Sequence, residues 1–235
     1  FSVRERTGSQ AMGKTAMFWR MNPKVYMVAA GRYDEPPVIK RGDVVLDFGS
    51  SDWERHKERK WAIQGTDAQD IKDPDFEAPS KGMGATYVPY DPYPLTGPVG
   101  DKSDLKDKDV VMASNVLNVQ IKEGGHNVKG NEGLTAAQRA RKVKEKYYEV
   151  LDEMVGAVNA EGALVTNMPD DTAKAMAKTS KVDAAWMTVE NLEADMNERF
   201  WVVEVTGPAR QRKSEWEVVI GRYPKALVKT GAEAF

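Results

Sequence analysis

Apolar residues along this chain fall into short runs and spaced stripes that alternate with one another. Residues 43–49 read Asp-Val-Val-Leu-Asp-Phe-Gly, an apolar run closed by glycine. Such a run fits a strand buried on both faces of a parallel sheet. Residues 85–90, Ala-Thr-Tyr-Val-Pro-Tyr, predict a second strand, and residues 109–119, Asp-Val-Val-Met-Ala-Ser-Asn-Val-Leu-Asn-Val, a third with its exit loop. A fourth, 163–168, follows the turn residue Gly162. Between these runs the period changes to that of a helix. Ala140, Val143, Tyr147, Leu151, Met154 and Val158 recur at intervals of three and four and predict a helix over 136–158. Thr188 is placed to cap a second helix whose Val189, Leu192, Met196 and Phe200 form one stripe. Residues 52–63 predict a charged, tryptophan-bearing helix. Residues 200–206 and 215–223 alternate as two late strands, an antiparallel pair joined through Gly207-Pro208 and the basic turn at 210–213.

Strands alternating with helices argue for an α/β fold, a mostly parallel sheet covered by helices on both faces. The order predicts that 43–48 is central, between 85–90 and 109–114, and that the last strand returns antiparallel. The chain divides into an N-terminal extension, 1–40, and one domain, 41–235. The extension carries a helix over 15–31, interrupted by Pro23 and stopped near Gly31 before Pro36-Pro37. Two stretches, 64–84 and 121–135, are polar, glycine-bearing and longer than the ~2–6 residues usual between such elements. Long loops of this kind serve function or assembly; we assign 121–135 to substrate and 64–84 to assembly or stability.

Composition narrows the function. Of 235 residues, 41% are hydrophobic, enough for a core, and 34 basic residues against 36 acidic ones leave a net charge of −2. That balance announces neither a nucleic-acid binder nor a membrane binder, although a local basic face is compatible with it. No cysteine is present, which removes disulfides, thiol catalysis and iron–sulfur clusters, and His56 and His126 are the two histidines, so no metal centre is expected. The composition fits a reducing, cytoplasmic setting. The chain opens on Phe1 rather than Met, so an upstream segment is expected.

The candidate chemistry sits where strands end. In open α/β sheets, ligands bind beyond the carboxyl ends of strands, near the point where strand order reverses. Asp47-Phe48-Gly49-Ser50-Ser51 ends the first strand: the glycine permits close backbone approach, and the acid can accept hydrogen bonds. An ordinary strand-to-helix turn would look the same. Tyr90-Asp91-Pro92-Tyr93 follows the second strand, where an acid holds ribose hydroxyls in a nucleotide site and an aromatic stacks on a base; a proline-rich turn is the alternative. Its distance from Asp47 exceeds the ~20 residues usual for such a pair, an excess the 64–84 loop accounts for. Ser114, Asn115 and Asn118 end the third strand and suit either a substrate floor or a loop cap.

Taken together, Val-Val-Leu-Asp-Phe-Gly-Ser, the Tyr-Asp-Pro after the second strand, and Asp-Val-Val-Met-Ala-Ser-Asn-Val-Leu-Asn-Val resemble S-adenosylmethionine-dependent methyltransferases of the Rossmann-like class. They are most similar to the small enzymes of bacterial viruses and mobile elements, bacteriophages among them. Gly162-Ala-Leu-Val-Thr-Asn is similar to that family's fifth strand. The resemblance spans roughly 43–168. It implies a Rossmann-like methyltransferase sheet, S-adenosylmethionine as cofactor, and methyl transfer to a nitrogen or oxygen nucleophile of a nucleic acid or a small molecule. It further implies that Asp47, Phe48, Gly49, Ser50 and Ser51 face the methionine end, that Asp91 and Tyr93 hold the nucleoside, and that Ser114 and Asn115 lie under the transferable methyl. The family's first loop usually has a second glycine two residues after the first; here Ser51 stands there, with Trp53 beyond it. That departure favours the other reading, a non-catalytic methyltransferase-like domain with a binding or structural role, as in a virion.

Two further features bear on the acceptor. Arg139, Arg141, Lys142, Lys144 and Lys146 crowd eight residues of the best helix, with Glu145 the one acid among them. They offer a nucleic-acid contact or, equally in character, a solvated outer face. His126, in the loop beyond Asn115, is a candidate general base or a loop residue without chemistry. An oligomer is compatible with all of this.

Overall fold

The computed structural model describes residues 25, 28, 29, 37–50, 60, 63, 64, 83–91, 101–117, 130–169, 174, 178, 181–206 and 217–225. Six strands form one sheet: β1 (Val44–Phe48), β2 (Thr86–Tyr90), β3 (Lys108–Ala113), β4 (Val158–Asn167), β5 (Phe200–Thr206) and β6 (Val218–Pro224). Their order across the sheet is β2-β1-β3-β4-β6-β5. β1 pairs in parallel with β2 on one side and β3 on the other, and β3 pairs in parallel with β4. β6 runs antiparallel to both β4 and β5. This is the Rossmann-like sheet expected, with the central first strand, the antiparallel last strand and the late hairpin pair all in place.

Each face of the sheet carries its own core. On one side Leu46, Phe48, Val111, Leu164 and Val219 pack beneath two helices, α1 (Ala136–Ala157) and α2 (Val189–Arg199). The stripe read from the sequence is the buried one: Val143, Tyr147, Leu151 and Met154 of α1 and Val189, Leu192 and Met196 of α2 all lie inside. Thr135 caps α1 reciprocally with Gln138, and Thr188 caps α2 through the Asn191 N–H. On the other side Val45, Val110, Met112, Val165 and Ile220 are covered by Val25, Val28, Ala29, Val38, Ile39 and Ile63. Val25, Val28 and Ala29 are helical, as are Lys60, Ile63 and Gln64; the rest of the 15–31 and 52–63 helices lies outside the described residues. So do most of the 64–84 loop and residues 207–216. Among the described residues no helix is long and apolar enough to cross a membrane.

Two details depart from the sequence pattern. Gly162 was expected to turn the chain into a strand beginning at Ala163. Instead β4 begins at Val158, directly from the end of α1, and Gly162 lies within it. A β-carbon there would come within 2.7 Å of the Asp109 carbonyl oxygen and 2.8 Å of that of Lys108. The pairing of β3 with β4 shifts register at this place, between Lys108 and Val110. The glycine therefore marks a close backbone approach inside an irregular ladder. Pro89 sits inside β2, which tolerates it as the edge strand of the sheet.

α1 and α2 meet through polar groups as well as apolar ones. The hydroxyls of Tyr147 and Tyr148 donate to the two carboxylate oxygens of Asp195, at 2.9 and 3.2 Å. Arg199 donates to Asp152 at 2.7 Å and to the Asp195 carbonyl at 2.9 Å, and its guanidinium lies over the Tyr148 ring. Burial raises the Asp195 carboxyl above its ordinary value; the tyrosine hydroxyls and Arg199 pull the other way. Burial, and after it the Asp195 charge, raises both tyrosines.

Two tests follow from this layer. Leu151→Ala should cost about 2–5 kcal/mol of stability by cavity formation, while Arg141→Ala on the exposed face should stay within about 0.5 kcal/mol, both read by urea denaturation. For Asp195 the folded state binds its proton more tightly than the unfolded chain. Stability from this group is therefore fully present below the ordinary carboxyl value and is lost as pH rises through the raised one. Asp195→Asn should lack that component, so its stability should gain on the unaltered protein as pH rises across the window; parallel pH profiles would refute the assignment.

Candidate functional site

The parallel strands end along one edge, and the sheet order reverses between β1 and β3: the chain leaves β1 for β2 on one side and comes back to β3 on the other. The exits of β1, β2 and β3 lie here, and the structure ties them together. The N–H groups of Gly49 and Ser50 both donate to the carbonyl of Tyr90, at 2.7 and 3.0 Å, which links the exits of β1 and β2. The rings of Phe48 and Tyr90 pack beneath with centroids 5.1 Å apart. Gly49 has a φ of +76°, and a β-carbon on it would fall 2.6 Å from a methyl of Val116. Close packing of Val116 on a bare backbone thus links the exits of β1 and β3, and requires glycine at 49 on two counts.

Each predicted residue has a definite place. Asp47 is 6% exposed, near the end of β1 on the face it shares with Val45, and its carboxylate accepts from the Tyr87 hydroxyl of β2. Ser50 is buried in the turn, and Asp91 is half-buried immediately after β2. Ser114 and Asn115 follow β3, both half-buried. Asn115 takes a left-handed conformation, φ 55°, that asparagine tolerates better than most residues. Ser51, Tyr93 and His126 lie outside the described residues.

Sequence reasoning missed the groups that hold this edge from below. Asn167, fully buried at the end of β4, accepts from the Asn115 backbone N–H through Oδ1 and donates from Nδ2 to Asn115 Oδ1, both at 2.8 Å. Its neighbour Thr166, also fully buried, donates its hydroxyl to the Ala113 carbonyl at 2.9 Å. The signal was present: two adjacent polar residues close the apolar run at 163–165, the same kind of position Asp47 and Asn115 occupy on their strands.

Each basic residue of the α1 cluster has a partner within the chain, while Arg141 and Lys144 stay exposed. Arg139 donates to the Leu134 carbonyl and Lys142 to Asn131 Oδ1. Arg141 and Lys146 pair with Glu145 and Glu149. Lys144 lies over the rings of Tyr148 and Trp186. No group of three or more His, Cys, Asp or Glu side chains among the described residues is arranged to hold a metal.

No family model and no curated protein matches the chain. Solved structures align with it over most of its length at low identity. A protein assigned as a ribosomal RNA methyltransferase from Plasmodium falciparum aligns at 13% identity and a TM-score of 0.33, covering 79% of this chain and 88% of its own. A methyltransferase from Pyrococcus furiosus aligns at 11% identity and a TM-score of 0.37, covering 78% and 76% respectively. A cofactor-bound protein from MTB aligns at 9% identity and a TM-score of 0.39, covering 93% and 85%.

Gly49→Ala should lower stability by about 1–3 kcal/mol, from the left-handed backbone and the clash together. Adding Val116→Ala should recover part of that loss, since it relieves the clash and leaves the backbone strain. Denaturant titration of Gly49→Ala, Val116→Ala and the double variant reads both effects; strictly additive losses would mean that Val116 is not the neighbour that matters.

Proposed function

We propose that the chain binds S-adenosylmethionine at the carboxyl edge of β1, β2 and β3 and transfers its methyl group to a nitrogen or oxygen nucleophile. The observation that carries this reading is the convergence of Gly49-Ser50, Asp91 and Ser114-Asn115 at the point where the sheet order reverses, the position at which open α/β sheets bind nucleotides. The residues suit the cofactor by their chemistry. Asp91, half-buried, is a bidentate acceptor for the two ribose hydroxyls. Gly49 lets Val116 pack on its bare backbone and so brings the exits of β1 and β3 together, and Ser114 with Asn115 supplies polar groups beside the methyl acceptor. Ser51, Tyr93 and His126 complete the reading, His126 as a general base. Bound S-adenosylmethionine supplies an electrophilic methyl on a sulfonium; what the chain contributes is mainly placement, lining the nucleophile up with that methyl. Without cysteine, an acceptor activated through a thiol adduct is outside its reach.

One observation favours the second reading, a methyltransferase-like domain that binds or builds without catalysing. The N–H groups of Gly49 and Ser50 are committed to the Tyr90 carbonyl, and the run continues Ser51-Asp52-Trp53 without a second glycine.

Titration calorimetry with S-adenosylhomocysteine separates the two. We expect binding, and we expect Asp91→Ala to weaken it at least about tenfold, since charge-assisted hydrogen bonds are worth roughly 1.5–3 kcal/mol each. Unchanged affinity in a folded Asp91→Ala variant would move the ribose site elsewhere, and no binding by the unaltered protein would favour the non-catalytic reading.

A further inference from the structure

The carboxamide of Asn167 reaches across from β4 and holds Asn115 at both its backbone and its side chain. The assignment of its atoms follows from the chemistry. The Asn115 backbone N–H can only donate, so the atom meeting it is the Asn167 oxygen. The other arm is then the Asn167 amide nitrogen, which can only donate, so it meets the Asn115 oxygen. With Asn115 as it stands, a carboxamide alone satisfies both ends. Aspartate at 167 would keep the first bond and lose the donor of the second, so that the Asn115 carboxamide must turn over to meet it. Leucine would fill the same volume and make neither.

What the bridge holds is a backbone turn with little intrinsic preference for its shape. A left-handed residue that is not glycine persists where its surroundings determine it, and Asn115 is such a residue. Val116 comes next in the chain and packs its methyl onto Gly49. Thr166 secures the preceding turn of chain through the Ala113 carbonyl. A shift of Asn115 therefore moves Val116, and Val116 sets the path of the loop after β1.

We infer that Asn167 is a positioning residue: without touching the ligand, it fixes the Asn115–Val116 turn and, through Val116, the Gly49 loop, in the arrangement that receives cofactor and acceptor. The inference rests on the proposed reading of that edge. It implies that affinity for the cofactor responds to a side chain buried on the fourth strand, and responds through Asn115.

The test uses the full chain with Asn167→Leu, Asn167→Asp, Asn115→Ala and the Asn115→Ala/Asn167→Leu double variant. Two quantities are measured: S-adenosylhomocysteine affinity by calorimetry, and hydrogen exchange of the residue 115 backbone amide by nuclear magnetic resonance. Asn167→Leu should weaken affinity about tenfold and raise exchange at residue 115 by at least about tenfold. Asn167→Asp, which keeps the bond to that N–H, should leave exchange near its original rate while affinity still falls; it also serves where the leucine variant does not fold. The double variant should bind no more weakly than the weaker single variant, because residues acting as one unit are not additive. Additive losses, or unchanged exchange at residue 115 in Asn167→Leu, would make Asn167 a core residue only and overturn the inference. If the unaltered protein binds no S-adenosylhomocysteine, the proposed function falls, and the hold of Asn167 on Asn115 is decided by the exchange measurement by itself.

Discussion

A parallel strand in the middle of a sheet must bury both of its faces, and this demand shapes the whole molecule. Val45 and Leu46 of β1 point to opposite sides, and neither is exposed. The same holds for Val110 and Val111 of β3 and for Leu164 and Val165 of β4. Apolar side chains therefore fill the strand interiors, and two separate cores are needed to cover them. Polar chemistry is displaced to the strand ends, where backbone groups run out of ladder partners and side chains must supply them. Asp47, Thr166 and Asn167 stand near the carboxyl ends of β1 and β4 and Asn115 just beyond β3, while Lys108, Asp109, Asn159 and Glu161 stand toward the opposite ends.

That displacement explains how the edge is built. Its loops are held by few but specific contacts: one carbonyl accepting two N–H groups, one methyl set on a glycine, and one carboxamide bridging two strands. Each is buried or nearly so, and each joins segments distant in sequence. An edge of this kind is preformed, and preorganisation is what a placement mechanism requires. The left-handed backbone this demands is supplied by glycine at 49 and by asparagine at 115.

Much of the fold was legible because it follows from local pattern. The runs at 44–48 and 108–113, the stripe of α1 and the Thr188 cap are all written within a few residues of the elements they specify. The edge was legible in part: Gly49, Asp91 and Asn115 follow apolar runs, and that pattern placed them correctly just beyond β1, β2 and β3. Asn167 was legible only as a polar residue closing an apolar run; that its partner is Asn115 depends on the pairing of β3 with β4, a relation that no spacing encodes. Gly162 was misread for a similar reason. A glycine before an apolar run ordinarily means a turn, and only the carbonyls of Lys108 and Asp109 make it a strand residue. The cluster of Tyr147, Tyr148, Asp195 and Arg199 is likewise invisible in sequence, because it exists only once α1 lies beside α2.

The direct passage of α1 into β4 has a mechanical meaning. Ala157 is the last helical residue and Val158 the first of the strand, so the junction contains no slack. A residue inserted there would either turn the helix by about 100° about its axis or exchange the two faces of the strand. The first choice carries Tyr147 and Leu151 away from the sheet; the second turns Asn167 away from Asn115. Helix phase and strand position are consequently set together at this junction, and the irregular stretch 159–162 separates it from the regular pairing that begins at Ala163.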